Sequence, residues 1–432
     1  MIDETTPPSF RRAVSRWEIV ALALNDVIGS GVYLLPAAAA ALLGPWSVWA
    51  VIVAGLAVLL LVLCFAEAAS HFEGPGSAYL YARTAFGDLV GFEVGWMTWL
   101  ARVSSVASLS VGFSQALGFL WPAAGQGMGR QLAITLPLLL LTAINVVGVK
   151  SGVSTAVFLA ITKTAPLLVF IGVGLFYADP SLIVNSPVPP DALANLGPAA
   201  LLLLFAYAGF ENTAAPAGEF KNPRRDVPFA LITQIGIVTF LYVAVQFVAQ
   251  GILPGIETSK TPLASAAERF LGSPGGWLMT VGAVLSILGT NSNTVLAGPR
   301  YLYALAADGF GPSFLARLHP RFRTPVAAIL LQTAIALPLA WSGSFVKLAA
   351  LSVVARLATY LGTAAAVPVL RRKLPASAGA VRLPGGPTIP IAAGLLCVVL
   401  AASAGRDNLI AAAIAIVVGL GVYGLRRRPV AL

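Results

Sequence analysis

The chain has 432 residues, of which 58% are hydrophobic and only 10% are charged. Soluble domains carry about a quarter charged residues, so this composition excludes a soluble protein and indicates a polytopic membrane protein. The net charge of +10 comes from short basic clusters between apolar runs, which argues against a nucleic-acid-binding surface.

Twelve runs are apolar enough and long enough to cross a bilayer, which takes about 20 residues. They cover residues 17–43, 45–70, 88–121, 130–149, 151–178, 195–217, 227–253, 275–306, 324–342, 344–370, 388–405 and 407–425. The connection at 73–87, "EGPGSAYLYARTAFG", is too short and too rich in glycine to cross, and predicts an interfacial or re-entrant segment. The sequence therefore predicts an all-α membrane protein with 12 transmembrane helices.

The distribution of lysine and arginine predicts the orientation. Basic clusters at Arg11, Arg12 and Arg16, at 371–373 and at 426–428 all fall on one side of the predicted membrane. Because cytoplasmic loops carry an excess of basic residues, the tails 1–16 and 426–432 are both predicted to be cytoplasmic. No cleavable signal peptide is expected, since a polar start leads into a long apolar run without a small-residue cleavage site.

The first run is interrupted in its middle by polar residues and glycines. Within "LALNDVIGSGVYLLPAAA" (22–39) stand Asn25, Asp26, Gly29, Ser30 and Gly31. Unwound backbone is costly in hydrocarbon unless its N–H and C=O groups find partners. A half-helix that begins near Ser30 offers free N–H groups and a positive dipole end to an anion such as a carboxylate.

A second interruption follows five spans later, in "LLLLFAYAGFENTAAPAGEFKNPRRDVP", with Gly209 and Glu211 inside the apolar run. Five crossings reverse the direction of the chain, so the two interrupted spans run in opposite directions. Such a pair predicts the binding site of a secondary transporter built from inverted halves. A half-helix that ends near Gly209 offers carbonyls to a cation such as an α-ammonium, so the two breaks together suit a zwitterion.

Four segments resemble the amino acid–polyamine–organocation transporters. They are "GSGVYLLP" (29–36), "GPGSAYLYARTAFG" (74–87), "AYAGFENTAAPAGEFKNPRRDVP" (206–228) and "AGPRYLYALAADGFGP" (297–312). The resemblance implies alternating access and a five-plus-five inverted repeat of residues 17–178 and 195–370, with discontinuous helices 1 and 6. Two further helices at 388–425 would follow the repeats.

The resemblance also implies a substrate site at the two breaks. Backbone amides, together with the Ser30 hydroxyl, would bind the substrate carboxylate at Val27, Ile28, Gly29, Ser30 and Gly31. Backbone carbonyls would bind the amino group around Phe205, Ala206, Ala208 and Gly209. Phe205 would close over the substrate from outside. Glu211 matches a glutamate that in relatives is implicated in proton sensitivity or in linking the site to gating.

Charged residues inside the apolar runs need partners or a wet cavity. Lys163, in "FLAITKTAPLLVF", would occupy a cleft that holds sodium in sodium-coupled members of this fold class. A buried amine also releases its proton readily. Lys163 is therefore either the coupling residue or a static charge that ties span five to the first break. Asp26 is expected either to hold the unwound segment or to pair with Lys163, and it is grouped with Lys163 and Glu211 as a coupling residue.

Two further sets of polar residues have open roles. Arg102, in "MTWLARVSSVASL", either selects neutral or acidic substrates over cationic ones or pairs with Glu211 or Glu93. Asn291, Ser292 and Asn293, in "GTNSNT" (289–294), either bind the substrate or hydrogen-bond neighbouring helices. Lys347 and Arg356 receive no role from the sequence.

The sequence thus predicts a sodium-independent secondary transporter of the cytoplasmic membrane, proton-coupled or exchanging, that favours neutral amino acids. A basic amino acid or polyamine antiporter is the alternative within the fold, and a non-transporting amino acid sensor is the alternative from another class. An enzyme is not expected, because no nucleophile–base or metal-binding constellation appears. The expected partners are an amino acid, protons and lipid, without nucleic acid, cofactor, metal or covalent partner; a homodimer is compatible with the sequence.

Overall fold

A computed structural model describes residues 14–73, 77–148, 153–214, 217, 220–374 and 380–424, with the backbone alone for 153–157 and 159. The predicted cytoplasmic tails therefore lie almost entirely outside the described residues. The predicted connection at 73–87 is described except for residues 74–76.

The described residues form sixteen α-helices and no strand. The helices are α1 (Arg16–Val27), α2 (Ser30–Leu43), α3 (Ser47–Ser70), α4 (Ala78–Phe86), α5 (Asp88–Leu117), α6 (Gly127–Val147), α7 (Val153–Gly174), α8 (Ser181–Val184), α9 (Ala192–Tyr207), α10 (Pro223–Ile252), α11 (Pro262–Leu271), α12 (Ser273–Ala307), α13 (Val326–Ser342), α14 (Phe345–Lys373), α15 (Thr388–Ala402) and α16 (Arg406–Gly424). Every predicted span overlaps at least one of them.

Both predicted interruptions are present in the structure. α1 ends at Val27, and α2 begins at Ser30 after two residues outside the helix. α9 ends at Tyr207 and is followed by a single 3-10 turn, Phe210–Asn212. Because each break lies inside an apolar run, the exposed backbone groups must be satisfied within the protein.

Five helical segments among the described residues are long and apolar enough to cross a membrane. They are Ser30–Ser70, Gly127–Val147, Pro223–Ile252, Phe345–Lys373 and Arg406–Gly424. Large apolar side chains are exposed on outer helix faces, for example Leu136 and Leu140 on α6 and Val417 on α16. Exposed apolar surface on this scale indicates contact with lipid. The chain is a multi-pass membrane protein, and the count of twelve spans stays a prediction.

Helices of the first half pack against helices of the second half in matching order. α2 contacts α9, α3 contacts α10, α5 contacts α12, and α6 contacts α13. α15 and α16 pack on the outside, against α3, α5 and α14. This arrangement brings the two interrupted helices together at the centre of the molecule.

Candidate functional site

Two glycines allow the interrupted helices to touch. A Cβ atom on Gly31 would lie 2.5 Å from the Cα atom of Ala206 on α9. Gly209 has a φ of 129°, and a Cβ atom there would lie 2.7 Å from the carbonyl oxygen of Asp26. Only glycine combines this φ with so close a backbone contact, so each break packs directly against the other helix.

Side chains of α10 and α12 satisfy the interrupted backbone. The Tyr242 hydroxyl is shared between the carbonyl oxygens of Ala206, at 3.0 Å, and Val27, at 3.3 Å. The carbonyl of Ile28 accepts hydrogen bonds from the hydroxyls of Ser286, at 3.1 Å, and Thr290, at 3.2 Å. These hydroxyls hold both breaks open at fixed positions.

Lys163 lies beside the first break, as the sequence predicted, and is completely buried. Its ammonium donates to the carbonyl of Asn25, at 3.0 Å, and to the Thr290 hydroxyl, at 2.9 Å. Lys163 therefore connects α7 to α1 and α12. Among the described residues, no ion pair within 4 Å joins Lys163 to Asp26. The carboxylate of Asp26 instead accepts a hydrogen bond from the Asn293 amide.

The second break is held by Arg356, a residue to which the sequence assigned no role. Arg356 on α14 forms a buried ion pair with Glu211. The other carboxylate oxygen of Glu211 accepts from the Gly209 amide at 2.9 Å and from the Tyr360 hydroxyl at 3.3 Å. Pairing with Glu211 or Glu93 was one of the two alternatives for Arg102, and among the described residues no ion pair within 4 Å joins Arg102 to either carboxylate.

A small cavity of about 30 Å³ lies between the two breaks, which is room for one or two water molecules in this conformation. Predicted site residues that line it are Asp26, Val27, Gly29, Ser30, Gly31, Arg102, Phe205, Ala208, Gly209 and Asn293. Lining residues that the sequence analysis did not select are Ser105, Leu109, Asn212, Thr290, Thr294 and Arg356. Most of the predicted substrate site thus forms one cavity.

Six predicted residues do not line this cavity. Ile28 and Ala206 contribute the carbonyls described above. Lys163 contacts the first break through the Asn25 carbonyl, and Glu211 contacts the second through the Gly209 amide. Asn291 donates to the Ser110 hydroxyl at 3.1 Å and ties α12 to α5, whereas Ser292 is exposed.

The residues of α12 that contact the first break could have been found from helical spacing, which the choice of three consecutive residues did not use. Residues three and four apart share one face of a helix. Ser286, Thr290 and Asn293 follow that spacing and all face the first break. The predicted run Asn291, Ser292 and Asn293 instead turns around the helix, so only one of its members could line the cavity.

Several buried polar groups at the cavity have no hydrogen-bond partner. They include the Ser30 hydroxyl, the side-chain oxygen of Asn212, and Nε and Nη2 of Arg102. The first-turn N–H groups of α2 have no intrahelical acceptor either. Since buried polar groups in native proteins are almost always paired, the cavity suits a ligand with both acceptor and donor groups.

An aromatic pair separates the cavity from a larger open space, here called the vestibule. Phe205 meets Phe345 edge to face, with ring centroids 5.9 Å apart. The vestibule has a volume of about 720 Å³, and the residues that line it include Gln115, Arg130, Lys260 and Phe345. Phe205 thus stands where the predicted closing aromatic was expected, at the boundary of the cavity.

These features define the class: a multi-pass membrane protein with a polar cavity between two interrupted helices. The family model described as amino acid permease matches residues 14–420. The chain therefore belongs to the amino acid permease family, and the predicted membership of the amino acid–polyamine–organocation superfamily is confirmed.

Three curated proteins of Bacillus subtilis (strain 168) are similar over nearly their whole length. The methylthioribose transporter is 30% identical, covering 97% of this chain and 94% of that protein. The branched-chain amino acid permease BcaP is 29% identical with the same coverage. The serine/threonine exchanger SteT is 30% identical, covering 94% of this chain and 95% of that protein.

Proposed function

We propose that this protein is a sodium-independent secondary transporter of amino acids, proton-coupled or exchanging, in the cytoplasmic (inner) membrane. The observation that carries the proposal is the ammonium of Lys163, held 3.0 Å from the Asn25 carbonyl at the first break. A fixed positive charge there can replace a bound metal cation. A buried amine can also take up and release a proton during the transport cycle.

The cavity offers complementary ends to a zwitterion. The N–H groups at the start of α2 and the Ser30 hydroxyl donate to the α-carboxylate, helped by the positive end of the helix dipole. The carbonyls at the end of α9 and the side-chain oxygen of Asn212 accept from the α-ammonium. Phe205 covers the bound substrate on the side of the vestibule.

Arg102 disfavours cationic substrates, because an arginine side chain in a protein is always charged. Small neutral amino acids are therefore the first expected substrates, and basic amino acids or polyamines are not. The names of two relatives, a branched-chain amino acid permease and a serine/threonine exchanger, support amino acids with uncharged side chains.

The packing of α2, α3, α5 and α6 against α9, α10, α12 and α13 supports the inverted repeat of residues 17–178 and 195–370. Four helix pairs in matching order are what two interlocked, inverted halves produce. With the basic clusters inside, both termini are cytoplasmic and the vestibule faces the exterior.

Uptake into proteoliposomes tests the proposal. Purified protein should accumulate labelled alanine at pH 7 when a proton gradient is imposed or when the vesicles are preloaded with unlabelled alanine. Replacing sodium by potassium should change nothing. Uptake that requires sodium, or uptake of arginine alone, would contradict the proposed mechanism or substrate class. Binding of amino acids without any uptake would instead support a sensor.

A further inference from the structure

The charges around the cavity do not balance when it is empty or holds a zwitterion. Three cations stand at the cavity and its two breaks, namely Lys163, Arg102 and Arg356, against the two carboxylates of Asp26 and Glu211. A zwitterion with an uncharged side chain adds no net charge. Buried charges are stable only when they are paired, so the cavity favours an additional anionic group.

Arg102 is the cation without a fixed partner. The residue is only 2% exposed and lines the cavity from α5. Its Nε and Nη2 atoms have no hydrogen-bond partner, and among the described residues no carboxylate lies within 4 Å of it. Its guanidinium faces the ring of Tyr301, 5.8 Å from the ring centroid, and that contact leaves its N–H donors unused.

Arg356 provides the comparison within the same cavity. Its guanidinium is paired with Glu211 and also donates to the Ser105 hydroxyl at 2.9 Å. Its donors are therefore committed to the protein, whereas those of Arg102 are available for a ligand. A guanidinium presents paired N–H donors that fit a carboxylate bidentately.

The vestibule, through which a ligand would reach the cavity, is positively charged like the cavity itself. Arg130 and Lys260 line the vestibule, and no acidic side chain is found among its described lining residues. A cleft lined by one sign of charge raises the local concentration of ligands of the opposite sign. The vestibule thus supports entry of an anionic substrate independently of the geometry at Arg102.

We infer that the site also binds an amino acid with a short acidic side chain, such as aspartate. The α-carboxylate would lie at the start of α2, and the side-chain carboxylate would receive the free N–H donors of Arg102. The inference rests on the proposed function, and it makes Arg102 the residue that determines specificity for the side chain.

Competition against labelled alanine in proteoliposomes tests the inference. For the unaltered protein, unlabelled aspartate should compete at least about 10-fold better than asparagine, which has the same size without the charge. Arg102→Met should weaken competition by aspartate about 10- to 100-fold, the usual loss for charged hydrogen bonds. Competition by unlabelled alanine should change less than about threefold.

Arg102→Lys and Arg300→Met are the matched variants. Arg102→Lys keeps the charge and should retain part of the preference for aspartate. Arg300 lies on α12 outside the cavity lining and donates to its own helix at Leu296, so Arg300→Met should leave the aspartate-to-asparagine ratio unchanged.

Two results would overturn the inference while the proposed function stands. One is alanine uptake by the unaltered protein without a preference for aspartate over asparagine. The other is an equal loss of alanine and aspartate binding in Arg102→Met, which would make Arg102 a ligand of the α-carboxylate. Absence of any amino acid uptake by the unaltered protein would contradict the proposed function itself.

Discussion

Lys163 determines how the first break is held. Its ammonium donates to the Asn25 carbonyl and to the Thr290 hydroxyl, and Thr290 in turn donates to the carbonyl of Ile28. A neutral apolar residue at this position would leave a buried carbonyl without a partner, at a cost of about 1–3 kcal/mol. The same change would remove the amine that contacts the first break directly.

Replacing Lys163 should therefore separate proton coupling from exchange. Lys163→Ala is expected to reduce proton-driven alanine uptake at least about 10-fold, because the amine that contacts the break is absent. Exchange into preloaded vesicles should no longer depend on pH. Both quantities are measured as initial rates of alanine uptake in proteoliposomes.

Lys347→Ala is the matched control, because Lys347 is exposed near the start of α14 and lines neither the cavity nor the vestibule. That variant should behave like the unaltered protein. If Lys163→Ala retains both the proton-driven rate and its pH dependence, Lys163 is a static charge and proton coupling resides elsewhere.

The sequence revealed the buried charges but not how they pair. Asp26, Arg102, Lys163 and Glu211 stand out because each interrupts an apolar run. Their partners lie far along the chain, since Glu211 meets Arg356 across 145 positions and Asp26 meets Asn293 across 267. Such contacts depend on how helices pack, which the spacing within one helix does not encode.

At the scale of helices, the two breaks depend on glycines that serve packing as well as binding. Gly31 lies against Ala206, and the Asp26 carbonyl lies against Gly209. A methyl group at either position would push α2 or α1 away from α9. Loss of substrate binding on enlarging Gly31 therefore would not by itself locate the substrate carboxylate.

Gly31→Ala and Gly209→Ala should each lower thermal stability in detergent. Overpacking at a tight contact costs about 1–3 kcal/mol, and the positive φ of Gly209 adds strain for any residue with a Cβ atom. The melting temperature of each purified variant, followed by size-exclusion fluorescence, measures the effect.

Gly172→Ala is the control for replacing a helical glycine by alanine where there is no tight contact. Gly172 lies within α7 and is exposed, and a Cβ atom added there would meet no other atom within 4 Å. Alanine there should be neutral or stabilising by about 0.5–1 kcal/mol. A melting temperature for Gly31→Ala equal to that of Gly172→Ala would show that the two interrupted helices do not touch at this point.

Most helices were predictable because each is one long apolar run, and the breaks were predictable because glycine and charge interrupt two of them. α11 (Pro262–Leu271) was missed, although Thr261 and Pro262 are typical of a helix start. Its short amphipathic pattern buries Leu263, Ala264, Ala266 and Ala267 against neighbouring helices. A search for spans of about 20 residues passes over a helix of this length.

At the scale of the whole molecule, the two sides of the cavity differ. The vestibule opens on the side predicted to be exterior. On the side predicted to be cytoplasmic, Arg83 is paired with Asp88, at 2.8 Å, and with Asp308, at 2.7 Å. Arg371 forms a bidentate pair with Glu67 through contacts of 2.5 and 2.7 Å.

The contacts at Arg83 are weak enough to exchange during a transport cycle. Asp308 also accepts from the Tyr79 hydroxyl at 2.5 Å. Burial, together with that hydrogen bond, raises the pKa of Tyr79, so its hydroxyl stays protonated as a donor at neutral pH. Exposed ion pairs contribute only about 0.2–1 kcal/mol each, so breaking the contacts of Arg83 requires no large change in free energy.

Thiol labelling should report both the orientation of the protein in the membrane and the relative populations of the states open to the exterior and to the cytoplasm. Gln115→Cys places a thiol in the vestibule, while the two native cysteines, Cys64 and Cys397, are buried and should react slowly. A membrane-impermeant maleimide added to intact cells should label the introduced thiol.

Adding Arg83→Ala to Gln115→Cys should slow labelling about two- to fivefold, because losing the Asp88 and Asp308 contacts favours the state open to the cytoplasm. Arg406→Ala, on the exposed start of α16, should leave the rate unchanged. Labelling only in inside-out vesicles would reverse the proposed orientation, and an unchanged rate with Arg83→Ala would mean that other contacts keep the cytoplasmic side closed.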